Sequence, residues 1–140
     1  MVVEHQVLKA ERVLSHCTDV SDDLVPQMIK GIKENISVLE FNICGDIIVA
    51  KRNGGIEFLV PIDREFCSNE HYSFKERVVL VNAARLRHYG SFGTIRKSLT
   101  ELNDYIAERS LMPITAPYIV ERDNSDNAYD IYIGISENVV

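Results

Sequence analysis

Glu57-Phe58-Leu59-Val60-Pro61-Ile62 lies near the middle of the chain and returns 73 residues later as Asp130-Ile131-Tyr132-Ile133-Gly134-Ile135. Both stretches are rich in β-branched and aromatic residues and read as strands. Successive strand residues point to opposite faces. Ile56, Phe58, Val60 and Ile62 therefore share one face, as do Ile131, Ile133 and Ile135. These aliphatic faces are expected to pack beneath helices. The opposite faces carry Glu57, Leu59 and Pro61 in one strand, and Asp130, Tyr132 and Gly134 in the other. Each of those faces combines a carboxylate with apolar or aromatic groups.

Working outward, each strand closes a hairpin. Asp46-Ile47-Ile48-Val49-Ala50-Lys51 is a short strand, and Asn53-Gly54-Gly55 is its turn, because these residues tolerate positive φ. Pro117 to Glu121 is the matching strand, with a turn at 123–127 and a last strand from Tyr129 to Ile135. A helix precedes each hairpin. Val25, Ile29, Ile32 and Ile36 form one apolar stripe, with Pro26 in the first turn and Ser21 placed to cap it. Phe92, Ile95, Leu99, Leu102 and Ile106 form the other, with Ser91 as cap and Pro113 beyond the end. Strands at Val7 to Cys17 and Arg77 to Tyr89, the second long enough to bulge, precede the helices. Leu14-Ser15-His16 matches Leu86-Arg87-His88 at an offset of 72. The expectation is one α+β domain over 1–140, made of tandem duplicated β-α-β-β modules with pseudo-twofold symmetry. Repeat 1 covers about residues 3–62 and repeat 2 about 75–136, giving an antiparallel sheet with two main helices and a connector over 63–74.

With 140 residues, one core suffices without staples. The net charge of −6 gives no basic footprint for nucleic acid, and Arg85, Arg87, Arg96 and Lys97, the densest basic groups, read as solvated faces. Cys17, Cys44 and Cys67 are odd in number and lack a CxxC pair, which argues against a disulfide framework or zinc site. His16 and His88 occupy matching positions but have no third ligand, so no metal is expected, and no cofactor motif is present. Ser-His-Asp order, phosphate loop, HExxH and dinucleotide fingerprint are all missing. The N-terminus lacks a signal core and no apolar run reaches about 20 residues, so a cytoplasmic protein without membrane contact is expected. No helix-turn-helix fits ahead of residue 3, so direct nucleic-acid contact is not expected either.

If strands 56–62 and 129–135 approach a pseudo-twofold, they line a groove holding Glu57, Leu59, Asp130 and Tyr132. Aromatic walls with carboxylates suit apolar or cationic organic molecules. A plain solvated sheet face is the competing reading. The run His88-Tyr89-Gly90-Ser91-Phe92, the helix to Tyr105-Ile106-Ala107-Glu108, then Pro113, Ala116-Pro117 and Asp130-Ile131-Tyr132-Ile133, resembles the gyrase-inhibitor-like (GyrI-like) small-molecule-binding family. That family includes effector domains of AraC-type and MerR-type multidrug-sensing regulators. The resemblance is strongest over 79–135 and implies a ligand groove between two modules.

The chain departs from the family pattern in several places. Asp130 stands where Glu is usual, Gly134 where Pro is common, and Tyr105 where the second helix often has Trp. Tyr118-Ile119-Val120-Glu121 lacks the usual acidic-x-aromatic spacing. The ligand-binding set expected from residues and resemblance together is Asp130, Tyr132, Glu57, Leu59, Tyr118, Glu121, Tyr89 and Phe92. Phe92, as part of the helical stripe, leans toward the core. The expected function is a stand-alone effector-binding domain for a small apolar or cationic molecule. Two alternatives remain: a protein-interaction module with another protein as partner, and a hydrolase of reactive small molecules using Asp130 with Tyr132.

Overall fold

The two apolar stripes become the buried faces of two helices. In the computed structural model, which describes residues 1–122 and 128–137, α1 (Val25–Val38) buries Val25, Ile29, Ile32 and Ile36. Helix α2 (Ile95–Glu108) buries Ile95, Leu102 and Ile106, and Phe92 is buried in the short 3-10 turn ahead of it. Leu99 of the same stripe is partly buried against that core. Pro26 sits in the first turn of α1, where its missing N–H costs nothing. Ser21 and Ser91 cap the 3-10 turns through backbone carbonyls, which accept the N–H groups of Leu24 and Thr94, and neither side chain makes a cap bond. Both helices end on a non-glycine residue with positive φ, Glu40 at 65° and Ser110 at 55°.

The strands are β1 (Val2–Thr18), β2 (Ile48–Arg52), β3 (Gly55–Pro61), β4 (Ser73–Tyr89), β5 (Leu111–Pro113), β6 (Tyr118–Glu121) and β7 (Ala128–Glu137). Gly54 and Gly55, both at positive φ, make the β2–β3 turn. The expected turn at 123–127 lies outside the described residues. The sheet runs β4-β1-β3-β2-β6-β7-β5, and β4 also pairs with β7. Six strands therefore have a neighbour on both sides, and β5 extends the far end of β7. All pairs are antiparallel.

Strand β1 starts five residues before the sequence reading, and β4 four residues before it. Their polar N-terminal stretches carry no strand pattern of their own. They are held because β1 and β4 pair along almost their full lengths, from Val2 opposite Leu86 to Ser15 opposite Ser73. The register shifts twice, between Val3 and Gln6 and between Gln6 and Leu8, so this ribbon does contain bulges. Strand β5 was not foreseen, since three residues carry no period.

The duplication holds in the structure at a spacing of 70 residues up to the hairpin turn and 73 in the closing strand. Val25 and Ile95 open the helices, Ile48 and Tyr118 open the next strands, and both pairs lie 70 residues apart. The 72-residue match of Leu14–His16 with Leu86–His88 is therefore out of structural register by two. Cys17 faces Glu57 and Arg87 faces Asp130, so Cys17 and Arg87 are the true equivalents. A two-residue slip keeps every side chain on its face, which is why the sequence match looked sound.

The two repeats solve one close contact in opposite ways. In repeat 1 the Cys44 N–H donates to the Pro61 carbonyl at 2.9 Å, and Gly45 leaves room for the proline ring. In repeat 2 the Ile114 N–H donates to the Gly134 carbonyl at 2.8 Å, and the Gly134 N–H donates to Thr115 Oγ1 at 2.9 Å. A Cβ on Gly134 would lie 2.7 Å from Thr115 Cγ2. Gly134→Pro is thus expected to lower the thermal midpoint, through a clash and a lost N–H donor. Adding Thr115→Gly should restore most of that loss by recreating the first repeat's arrangement, and thermal unfolding of the two variants checks it.

Candidate functional site

Strand alternation divides the buried residues into two clusters. Phe58, Val60, Ile131, Ile133 and Ile135 join the helices in the larger one. The opposite faces of the same strands meet in a second cluster of Ala10, Val13, Ile48, Ala50, Leu59, Leu80, Ala83, Tyr118 and Val120, with Leu8, Val78 and Tyr132 partly buried against it. This is the arrangement the two matched hexamers implied.

Register places the candidate residues on this second face. Glu57 is opposite Ala50, Ala50 opposite Tyr118, and Tyr118 opposite Tyr132. In the next row Leu59 is opposite Ile48, Ile48 opposite Val120, and Val120 opposite Asp130. The two rows are related by the pseudo-twofold, with Glu57 at one end and Asp130 toward the other. Glu57 is 4% exposed and Asp130 5%, so neither is an ordinary surface charge.

A buried carboxylate needs partners. Glu57 accepts from Arg52 Nε at 3.0 Å and Nη2 at 2.8 Å, from Lys75 Nζ at 2.7 Å, and from the Ser15 hydroxyl. Arg52 Nη2 also donates to the Tyr118 hydroxyl at 3.0 Å, and its guanidinium lies 5.6 Å from that ring's centroid. Burial alone would raise the Glu57 carboxyl, but the bonds from Lys75, Ser15 and Arg52 outweigh it and hold it below the ordinary range. Asp130 accepts from Arg87 Nε at 3.0 Å and lies 3.4 Å from Arg122 Nη1. Arg87 was read as part of a solvated face. Its alternation with Ala83 and Arg85, against Ala84 and Leu86 in the helical core, is the signal that reassigns it.

Three predicted residues do not share this face, or reach only its edge. Glu121 pairs with Tyr129, whose ring is in the helical core, because it is one residue out of phase with Val120. Phe92 is fully buried and packs edge-on against Tyr129 at 5.4 Å. Tyr89 is 76% exposed, at the end of β4. Tyr105 also points elsewhere, donating to Glu4 Oε2 at 2.6 Å. His88 is buried and fixes the turn into α2. Its Nδ1 is 2.6 Å from Ser98 Oγ and its Nε2 is 3.0 Å from the Ser91 carbonyl.

The second cluster opens on one side into a cleft of about 480 Å³. Leu8, Ala10, Ile48, Pro61 and Val120 form its apolar wall, and Arg12 and Asp46 stand at its rim. Neither Glu57 nor Asp130 lines it, although Val120 is the register partner of Asp130.

No protein-family model matches the chain, and no curated protein matches its sequence. Solved structures do match. The C-terminal domain of EcmrR superposes with a TM-score of 0.72 over 99% of this chain and 98% of that domain, at 11% identity. The chain has the GyrI-like fold. EcmrR in its DNA complex, EcmrR-RPo, superposes at a TM-score of 0.77 and 12% identity, over 98% of this chain. This chain spans only 58% of that longer one. A hydrolase from Listeria innocua superposes at a TM-score of 0.56 and 11% identity, over 94% of this chain and 90% of the other. Among the described residues, no helix of this chain is long and apolar enough to cross a membrane. No group of three or more histidine, cysteine or acidic residues that could hold a metal ion is found among them either.

Proposed function

We propose that the chain is an effector-type small-molecule-binding domain whose ligand lies on the second face, between the two repeats. The observation that carries this reading is the second apolar cluster. It is separate from the helical core and opens into a cleft of about 480 Å³, a size suited to a drug-sized molecule. The fold shared with the C-terminal domain of EcmrR supports the reading, since EcmrR itself is found on DNA and this chain matches the part that remains as a separate domain. Asp130, Tyr132, Glu57, Leu59 and Tyr118 frame the face. Leu8, Ala10, Ile48 and Val120 would supply the contact surface.

The hydrolase alternative gains nothing from Glu57. A carboxyl held below its ordinary range by three partners is a weak base near neutrality.

Ala10→Phe tests the reading directly. Ala10 is buried at the cleft wall, and a ring there would occupy the ligand's space. A thermal-shift screen of apolar aromatic compounds is expected to find stabilisers of the wild type that lose at least tenfold in affinity against Ala10→Phe. Equal binding by the variant, with its fold intact, would remove the cleft from consideration.

A further inference from the structure

The ligand face carries more positive than negative charge. Its two buried carboxylates are Glu57 and Asp130, while Asp46 and Glu11, the latter paired with Lys9, line the cleft together with Arg12. Its cations are Arg52 and Lys75 on Glu57, Arg87 and Arg122 on Asp130, and Arg85. Arg85 lies on this face by alternation with Ala83 and Arg87, and its register partner across β7 is Tyr132. It is half-buried, and among the described residues its guanidinium has no hydrogen bond or ion pair. Its equivalent in repeat 1 is Ser15, whose hydroxyl is committed to Glu57. Asp130 makes no corresponding use of Arg85, because Arg87 and Arg122 already satisfy it.

We infer that this face receives an organic anion, with Arg85 as the group that reads its charge. The inference rests on the small-molecule reading above and specifies its ligand. The negative groups expected to attract cations are already neutralised. A cationic ligand would have to displace Arg52 or Lys75 from Glu57, or Arg87 or Arg122 from Asp130. An anionic ligand displaces nothing. It gives a partly desolvated guanidinium the acceptor it lacks, and Arg offers a planar two-pronged donor that suits carboxylates, sulfonates and phosphates. Neither Arg85 nor Tyr132 lines the cleft itself, so the partly buried ring of Tyr132 opposite Arg85 would hold the ligand's apolar body, on the same cluster that Val120 carries to the cleft wall.

Two ions of the same shape and opposite charge make the test. Tetraphenylborate and tetraphenylphosphonium are titrated calorimetrically into the full chain, with neutral triphenylphosphine oxide as reference. Tetraphenylborate is expected to bind at least tenfold more tightly than tetraphenylphosphonium. Arg85→Gln is expected to abolish that preference while leaving affinity for the neutral probe and the thermal midpoint unchanged. Tetraphenylphosphonium binding as tightly as tetraphenylborate, or a preference that survives Arg85→Gln, would overturn the anion assignment. Binding of the neutral probe alone would overturn it too, yet leave the small-molecule reading standing. If none of the three binds, both fall together.

Discussion

Phe92→Ala is expected to cost roughly 3–5 kcal/mol of stability and to lower the thermal midpoint by roughly 10–20 °C, the largest effect of any substitution considered. The ring is fully buried between the start of α2 and Tyr129, and the 3-10 turn that holds it adjoins the corresponding turn before α1. Truncation would leave a cavity that rigid strands cannot close. Urea denaturation measures the loss. The same variant also separates two roles for Phe92. Studied well below its midpoint, it should bind small molecules as the wild type does, because its ring faces the helices. A variant that stays folded but loses binding would return Phe92 to the ligand site.

The second large effect concerns the charge pair in the other cluster. Lys75→Met is expected to destabilise the chain by about 2 kcal/mol at pH 7. It removes a donor from Glu57, a carboxylate with almost no access to water. Lys75 itself reaches solvent, so Glu57→Gln, which leaves the cations free to hydrate, should cost less. The pH dependence has a fixed sign. Glu57 is held below its ordinary value of 4.5, so its ionised form stabilises the fold above that value. That contribution is lost as pH falls through the lower, folded-state value. The gap between wild type and Lys75→Met should therefore begin to narrow as pH falls below 4.5 and keep narrowing until Glu57 of the folded wild type is protonated. Urea titrations at pH 7 and at pH 3.5 test this, and a gap that stays constant would mean Glu57 is not the group responsible.

The residues that were easiest to read are those whose partners are close in sequence or whose period is unbroken. The stripes of α1 and α2 and the two-faced hexamers place Val25 to Ile36, Ile95 to Ile106, Phe58 and Ile131 where the structure has them. The partners of the two carboxylates were not legible. Lys75 lies 18 residues from Glu57, just past the segment read as connector, and Arg87 lies 43 residues from Asp130. Only the antiparallel pairings bring these groups together, and such pairings leave no local trace. Glu121 shows the cost of a one-residue error, since strand alternation turns it to the opposite face. The pairing of Glu57 and Asp130 with basic groups was hidden for the same reason. Acidic side chains are visible in a sequence, but the bases that neutralise them are visible only in the fold.

The six mutually flanked strands also bear on how such a chain could arise. The β1–β4 ribbon and the β2–β6 seam join one repeat to the other, and neither can form within a repeat. A gene encoding one unit alone would make a product with raw sheet margins on either side, and such margins recruit further copies. Tying two units end to end turns that recruitment into an internal step at high local concentration. Once joined, such halves are free to differ, as they do where one has Ser15 and the other Arg85.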